Sequence, residues 1–238
     1  MIEFTETKIV VTGAGGNLGK AVVEAFLRKG GTVFGLYLRS PSEVEINTLQ
    51  KLPGTLSPMT GVDLTDRDAV ISLAEKISSK GSEVGVVVNT VGGFTMGERV
   101  NELQSATWQK MYALNVLTVL NTAAAFVPGM IQQGRGKFVT IGAKGGLSGG
   151  AKMGAYAAAK SAVIRLTESM AAELKNHHIQ ANSILPSTID TPENRQAMPE
   201  SDFSKWVQPE AIAEVILFLS SAEADSISGA AIPVYGRS

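Results

Sequence analysis

Along this chain, short β-branched apolar runs alternate with longer stretches whose apolar residues return every three or four positions. The short runs suit strands, and the longer period suits amphipathic helices. The runs predict strands at Lys8–Thr12, Thr32–Tyr37, 55–62, 84–89, 137–141, 179–185 and Ala231–Val234. Helices are predicted at 18–29, around 154–162 and at Pro209–Leu219. Runs such as Val84-Gly85-Val86-Val87-Val88 suit strands buried on both faces. The alternation predicts βαβ units and hence an α/β fold, a doubly wound parallel sheet of about seven strands with helices on both faces.

No repeat, low-complexity tract or composition break interrupts this pattern, so residues 1–238 read as one domain. A chain of that length buries a sizeable core. The net charge is -1, and mixed acids and bases leave no basic stripe for nucleic acid. Without cysteine there is no thiolate nucleophile, no disulfide framework and no cysteine-ligated zinc. The polar, acidic opening is no signal peptide, and no segment approaches the ~20 apolar residues of a membrane span. The expectation is a soluble cytoplasmic protein that takes a small-molecule substrate and binds neither nucleic acid nor membrane.

The first strand runs into Thr12-Gly13-Ala14-Gly15-Gly16-Asn17-Leu18-Gly19, and a predicted helix follows. Glycines mark any tight turn, but a strand before and a helix after make a phosphate-binding turn the stronger reading. Gly13 permits the sharp turn, Gly16 lets backbone approach a pyrophosphate, and Gly19 lets helix and strand pack closely. The helix start then offers free N–H groups to the phosphates.

Which dinucleotide is read depends on the end of the second strand, where an acid would accept from ribose hydroxyls and favour NAD. This chain has Leu36-Tyr37-Leu38-Arg39-Ser40 instead. Arg39 suits a 2′-phosphate and the Ser40 hydroxyl is a second donor, although surface arginines are common. NADP(H) is favoured, with NAD(H) as the alternative.

Gly154-Ala155-Tyr156-Ala157-Ala158-Ala159-Lys160-Ser161-Ala162 is rich in helix formers. Four residues apart, Tyr156 and Lys160 share one helix face. An ammonium beside a phenol lowers its pKa from ~10 and makes it a usable acid or base. Alone, the pair is equally an ordinary helix face. Beside the glycine turn it points to a reaction centre.

Together these features resemble the short-chain dehydrogenase/reductase family over essentially the whole chain. The matching marks are Thr12 through Gly19, Asp63-Leu64, Asn89-Thr90-Val91-Gly92, Asn115 in a long helix, Tyr156 with Lys160, and Pro186 to Pro192. The resemblance implies a single Rossmann domain, hydride transfer and a homotetramer or homodimer. It implies that Tyr156 donates a proton, that Lys160 binds nicotinamide ribose and tunes Tyr156, and that Asn115 holds a water in a proton relay. Cofactor contacts are implied at Gly13, Gly15, Gly16, Asn17, Leu18 and Gly19 in the turn, and at Arg39 and Ser40. Further along they are implied at Asp63, Leu64, Asn89, Val91, Gly92, Tyr156, Lys160, Pro186, Ile189 and Thr191.

Two departures stand out. Asn17 replaces the family's usual glycine. The family's catalytic serine falls thirteen positions before the tyrosine, where this chain has Ala143. Ser148, eight positions before Tyr156, is a poor substitute by spacing. Losing one such donor costs ~10²–10³ in rate where oxyanion charge is localised, and less where a conjugated ring disperses it. Dihydropteridine reductases are similar here, with alanine in a Gly-Ala-Lys context. They also resemble the stretches Leu185-Pro186, Asp190-Thr191-Pro192-Glu193-Asn194-Arg195 and Met198-Pro199-Glu200-Ser201-Asp202-Phe203, on to Trp206.

Other residues are read as structural. His177 and His178 suit a helix end, and no metal role is read from them or elsewhere. Met96, Met153 and Met198 fill core or loop, Glu98 and Arg99 are solvated loop charges, and Asp190 with Glu193 caps the next helix. Trp206 either covers substrate or packs its own segment down. The leading function is a pteridine-type reductase. The alternatives are a reductase of 3-oxoacyl or other carbonyl substrates and a non-catalytic dinucleotide sensor.

Overall fold

The computed structural model describes residues 2–78 and 84–237. Its strands are β1 (Lys8–Thr12), β2 (Thr32–Tyr37), β3 (Thr55–Thr60), β4 (Val86–Asn89), β5 (Gly136–Ile141), β6 (Ile179–Pro186) and β7 (Ala231–Val234). They form one sheet in the order β3-β2-β1-β4-β5-β6-β7 with every pairing parallel. The helices are α1 (Asn17–Arg28), α2 (Glu43–Leu49), α3 (Arg67–Ser78), α4 (Ser105–Tyr112), α5 (Thr118–Gln133), α6 (Gly154–Leu174), α7 (Pro192–Ala197) and α8 (Pro209–Leu219). The doubly wound α/β expectation is met. β1, β2 and β7 have the expected bounds. β3 stops two residues early because Gly61 turns the chain at φ +71°.

Strand alternation divides the core in two. Ile9, Val11, Val86, Val88, Val139 and Ile141 face α1 and α8. Val10, Val87 and Phe138 face α3, α5 and α6. Helices therefore cover both faces, and central strands such as β1 and β4 read as unbroken apolar runs because neither face meets water.

The helix carrying Asn115 is long, as expected, but is interrupted. α4 passes into a π-turn at Ala113–Leu117 before α5 begins. Its whole span, Ser105–Gln133, is long and apolar enough to cross a membrane, contrary to the expectation that no segment is. It packs instead as a core helix, burying Met111, Val116, Val119, Phe126 and Met130 against the sheet and its neighbours.

Phe26 of α1 is fully buried and meets Phe4 edge-on at 4.8 Å between ring centroids. Phe26→Ala is expected to lower stability by about 3–5 kcal/mol through lost transfer energy and a cavity. Phe218→Ala, on the exposed side of α8, should stay within about 0.5 kcal/mol of wild type. Urea unfolding of both variants checks the contrast.

Candidate active site

The sheet order reverses between β1 and β4, and a ligand crevice forms at the C-terminal ends of strands at such a point. The turn after β1 lies beside it. Gly13 has φ +63°, and its carbonyl accepts from Gly16 N at 2.9 Å. A Cβ on Gly19 would stand 2.1 Å from Gly13 O, so the helix can pack this tightly only with glycine there. α1 begins at Asn17 after Gly16, with no side-chain cap and no acid in its first turn. Its leading N–H groups are thus left to an anion, which is what a pyrophosphate needs.

The β4 end abuts this turn. Thr12 Oγ1 accepts from Thr90 N at 3.1 Å and Val91 N at 3.4 Å, while Thr90 Oγ1 donates to Thr12 O at 2.6 Å. A Cβ on Gly13 would meet Val91 Cγ2 at 2.9 Å. These bonds lock the floor of the crevice. Thr12 is thus more important than its place at the edge of the glycine motif suggests.

Beyond the floor, a Cβ on Gly92 would lie 2.8 Å from Asn115 Oδ1 and 3.0 Å from Lys160 Nζ. Gly92, Asn115 and Lys160 therefore converge, although they are distant in sequence. Lys160 Nζ donates to Ile141 O at 2.8 Å. Asn115 Oδ1 accepts from Gly93 N at 3.1 Å, and Nδ2 donates to Gly93 O at 3.1 Å and Met111 O at 3.0 Å. Asn115 thus clamps the chain after β4, in addition to the relay role its family resemblance implies. The π-turn points the side chain toward that segment while Met111 O takes its amide.

Tyr156 lies near the start of α6, with Phe94 edge-on at 4.9 Å and Gly145 beside its ring. Burial pushes the phenol up to about 12 and the Lys160 ammonium down to about 8. This corrects the expectation that lysine lowers the tyrosine pKa. Desolvation is the cause of both shifts, since burial penalises the charged form of each group. At neutral pH Tyr156 is a protonated phenol and Lys160 is an ammonium. Ala143 is buried and carries no donor, and Ser148 is exposed on the following loop.

Several other expected contacts need adjustment. Asn89 lies beneath the crevice surface, fully buried, with Nδ2 donating to Thr118 O and Thr122 Oγ1. Leu64 and Leu18 are core residues, so only their backbones can meet a ligand. Asp63 is exposed, and its Oδ1 takes two bonds from Thr65 that hold its carboxyl below the usual range. Arg39 and Ser40 are exposed just past β2. The Tyr37 ring lies under Gly15, filling the place where an acid was sought.

After β6, Pro186 is buried, Ile189 bridges Val207, and Thr191 caps α7 by accepting from Asn194 N at 3.2 Å. Asp190 and Glu193 do not cap it, contrary to expectation, because Pro192 opens the helix and places the cap at Thr191. Asp190 instead pairs with Arg195 at 2.6 Å, and Glu193 accepts from Asn17 Nδ2 at 2.7 Å. Glu98 is no free charge either, since it accepts from Gln104 N and Thr107 Oγ1. Met96 and Met153 line a small cavity of about 60 Å3 beside the start of α6. Trp206 packs against Phe203 at 4.8 Å. A cavity of about 730 Å3 opens at the opposite, N-terminal ends of the central strands, around Lys8, Arg135 and Lys137, and is lined by none of these site residues.

The glycine cradle, the uncapped helix start and the convergence of Gly92, Asn115 and Lys160 fit a dinucleotide. Comparison with known proteins agrees. The profile of the family described as short chain dehydrogenase matches residues 7–202. The 3-oxoacyl-[acyl-carrier-protein] reductase FabG of Thermotoga maritima is 30% identical over 236 residues, 95% of each chain. The 2-(S)-hydroxypropyl-CoM dehydrogenase 3 of Xanthobacter autotrophicus is 32% identical over 246 residues, 96% of this chain and 94% of that one. A solved structure of a 3-oxoacyl-[acyl-carrier protein] reductase with bound NAD from Brucella melitensis is 28% identical. It superposes with a TM-score of 0.82 over 98% of this chain and 90% of the other.

Lys160 should titrate near pH 8 in the isolated chain, charged below and neutral above, because its lowered pKa moves the whole transition down. Exposed lysines should titrate near ~10.4. NMR of the lysine ε-carbons, assigned with Lys160→Arg, measures it. A value near the exposed lysines would show that burial does not govern this site.

Proposed function

Because the chain belongs to the short-chain dehydrogenase family and is an oxidoreductase, we propose that it is an NADPH-dependent reductase of a quinonoid or pteridine ring. Ala143 carries this reading. The side chain that would donate to a developing oxyanion is a methyl group, buried beside the loop that lines Tyr156. Addition to an isolated ketone concentrates charge on one oxygen, whereas a conjugated ring spreads it over nitrogens and a distant carbonyl. None of the relatives described above is a dihydropteridine reductase, so the likeness of the stretch from Asp190 to Trp206 stands on its residues alone.

A dinucleotide, when bound, would supply the hydride. Gly13 to Gly19 and the start of α1 would hold its phosphates, and Arg39 with Ser40 would meet the 2′-phosphate. Lys160 would hold the nicotinamide ribose, and its charge would favour the phenolate left when Tyr156 gives up its proton. A phenol whose pKa burial pushes up to about 12 stays protonated at neutral pH and can donate its proton. Phe94, exposed and edge-on to Tyr156, offers an apolar wall to a flat ring.

The second reading is a 3-oxoacyl reductase, which the two reductases above favour. The sensor reading is weaker, because Tyr156, Lys160 and Asn115 are all retained around one crevice. We further propose a cytoplasmic homo-oligomer, supported by family resemblance and by exposed Trp108 and Tyr112 on α4.

Two predictions test this reading. Quinonoid dihydropteridine should be reduced faster than a 3-oxoacyl thioester, followed by NADPH absorbance at matched concentrations. Tyr156→Phe should lose most turnover while still binding NADPH, and Ala143→Ser should raise only the 3-oxoacyl rate. Robust 3-oxoacyl reduction with no pteridine turnover would overturn the substrate assignment. For the cofactor, Arg39→Ala should weaken NADPH on the order of ten- to hundred-fold, with NADH little changed. Fluorescence titration decides this, and equal losses for both would remove Arg39 from 2′-phosphate recognition.

A further inference from the structure

Asn17 and Glu193 are separated by 176 residues, yet Asn17 Nδ2 donates to Glu193 Oε2 at 2.7 Å. Asn17 opens α1 at the phosphate-binding turn, and Glu193 lies in the first turn of α7. β6 and β1 are separated in the sheet by β5 and β4. That is three inter-strand steps of ~4.8 Å, or roughly 14 Å across the strand ends. A chain that leaves β6 and touches the start of α1 must pass over the ends of β5 and β4. This is the part of the crevice next to Tyr156, Lys160 and Gly92.

The segment that makes this crossing is stiff. Asp190 N donates to Val207 O at 2.8 Å, and Val207 N donates to Thr188 O at 3.0 Å. The buried Asp190 carboxylate accepts from Arg195 Nε at 2.6 Å, Arg195 Nη2 at 2.7 Å and Gln208 Nε2 at 2.7 Å. The Arg195 guanidinium lies 4.8 Å over the Phe203 ring, and Phe203 packs on Trp206. Residues 188–208 are therefore braced internally, so their free edge can be held or released as a unit. Lys20, one turn beyond Asn17, is paired with Glu45 at 3.1 Å and is not engaged with Glu193. Asn17 stands where a glycine would have no side chain to reach across.

We propose that Asn17 and Glu193 form a latch that ties the braced segment to the phosphate-binding turn and slows dinucleotide exchange. This rests on the reading that the crevice binds a dinucleotide. The carboxylate accepts a charge-assisted hydrogen bond from Asn17; its own backbone N–H first, and this bond second, hold its pKa below the usual range. Because both residues are exposed, the bond is modest, suited to setting a rate without closing the crevice permanently.

The test is NADPH release by stopped-flow fluorescence from the full chain, with hydrogen exchange of residues 190–206 in the protein alone. Asn17→Gly and Glu193→Ala should each speed release by roughly three- to tenfold. The double variant should release no faster than either single one, because each removes the same bond. Glu193→Gln, which keeps an acceptor oxygen, should stay closer to wild type than Glu193→Ala. Hydrogen exchange of 190–206 should rise in Asn17→Gly. Unchanged release and exchange in Asn17→Gly, or additive effects in the double variant, would overturn the latch. So would slower release from Glu193→Gln, which would mean that the carboxylate repels phosphate. Failure of wild type to bind either dinucleotide would sink the cofactor reading instead, leaving hydrogen exchange to judge the latch alone.

Discussion

At the turn after β1 the backbone folds against itself so closely that only hydrogen fits on Gly19, whose Cβ would stand 2.1 Å from Gly13 O. This contact sets where α1 starts and how tightly it lies on the sheet. The uncapped N–H groups of α1 are thereby brought to the edge of the crevice, next to the β4 floor held by Thr12. Phe26, Val22 and Val23 can then pack on the sheet, and α8 closes the same face. One steric constraint thus shapes both a core layer and an anion site.

The opposite layer positions Tyr156 and Lys160. α6 packs its small residues Ala155 and Ala159 inward, which lets the helix come close to β5 and buries Lys160 within reach of Ile141 O. Burial has opposite effects on the two functional groups. It makes the phenol a weaker acid and the ammonium a stronger one, because each loses more hydration in its charged form. The result at neutral pH is one protonated phenol and one cation around Gly92 and Asn115, an arrangement suited to giving a proton. The π-turn at Ala113–Leu117 is part of the same device, since it directs Asn115 to Gly93. Such turns recur at functional sites because they redirect a side chain without breaking the helix.

Between these layers the segment after β6 joins the two halves of the crevice. Asp190 makes the segment stiff, and Glu193 reaches the turn that carries Asn17. Ala143 contributes a buried methyl group and Phe94 an exposed ring packed edge-on against Tyr156.

Much of this was legible in the chain itself. Apolar period marked the strands, and spacing marked the glycine turn and the Tyr156–Lys160 face, because those features depend on neighbours within a few residues. Contacts between distant positions were not legible. Nothing local shows that Asn89 turns inward to Thr118 and Thr122, that Glu193 meets Asn17, or that Glu98 is bound by Thr107. Asp190 and Glu193 suit a cap by residue type, but Pro192 takes the first helical position and leaves the cap to Thr191. The sign of the Tyr156 shift also escaped a local reading. Spacing reports only that an ammonium is one turn away, whereas the desolvation that raises the phenol comes from surrounding elements. The sequence by itself determined which groups are present and how the backbone repeats. The tertiary structure decided which of those groups lose water and which distant partners they meet, because burial belongs to the packed whole.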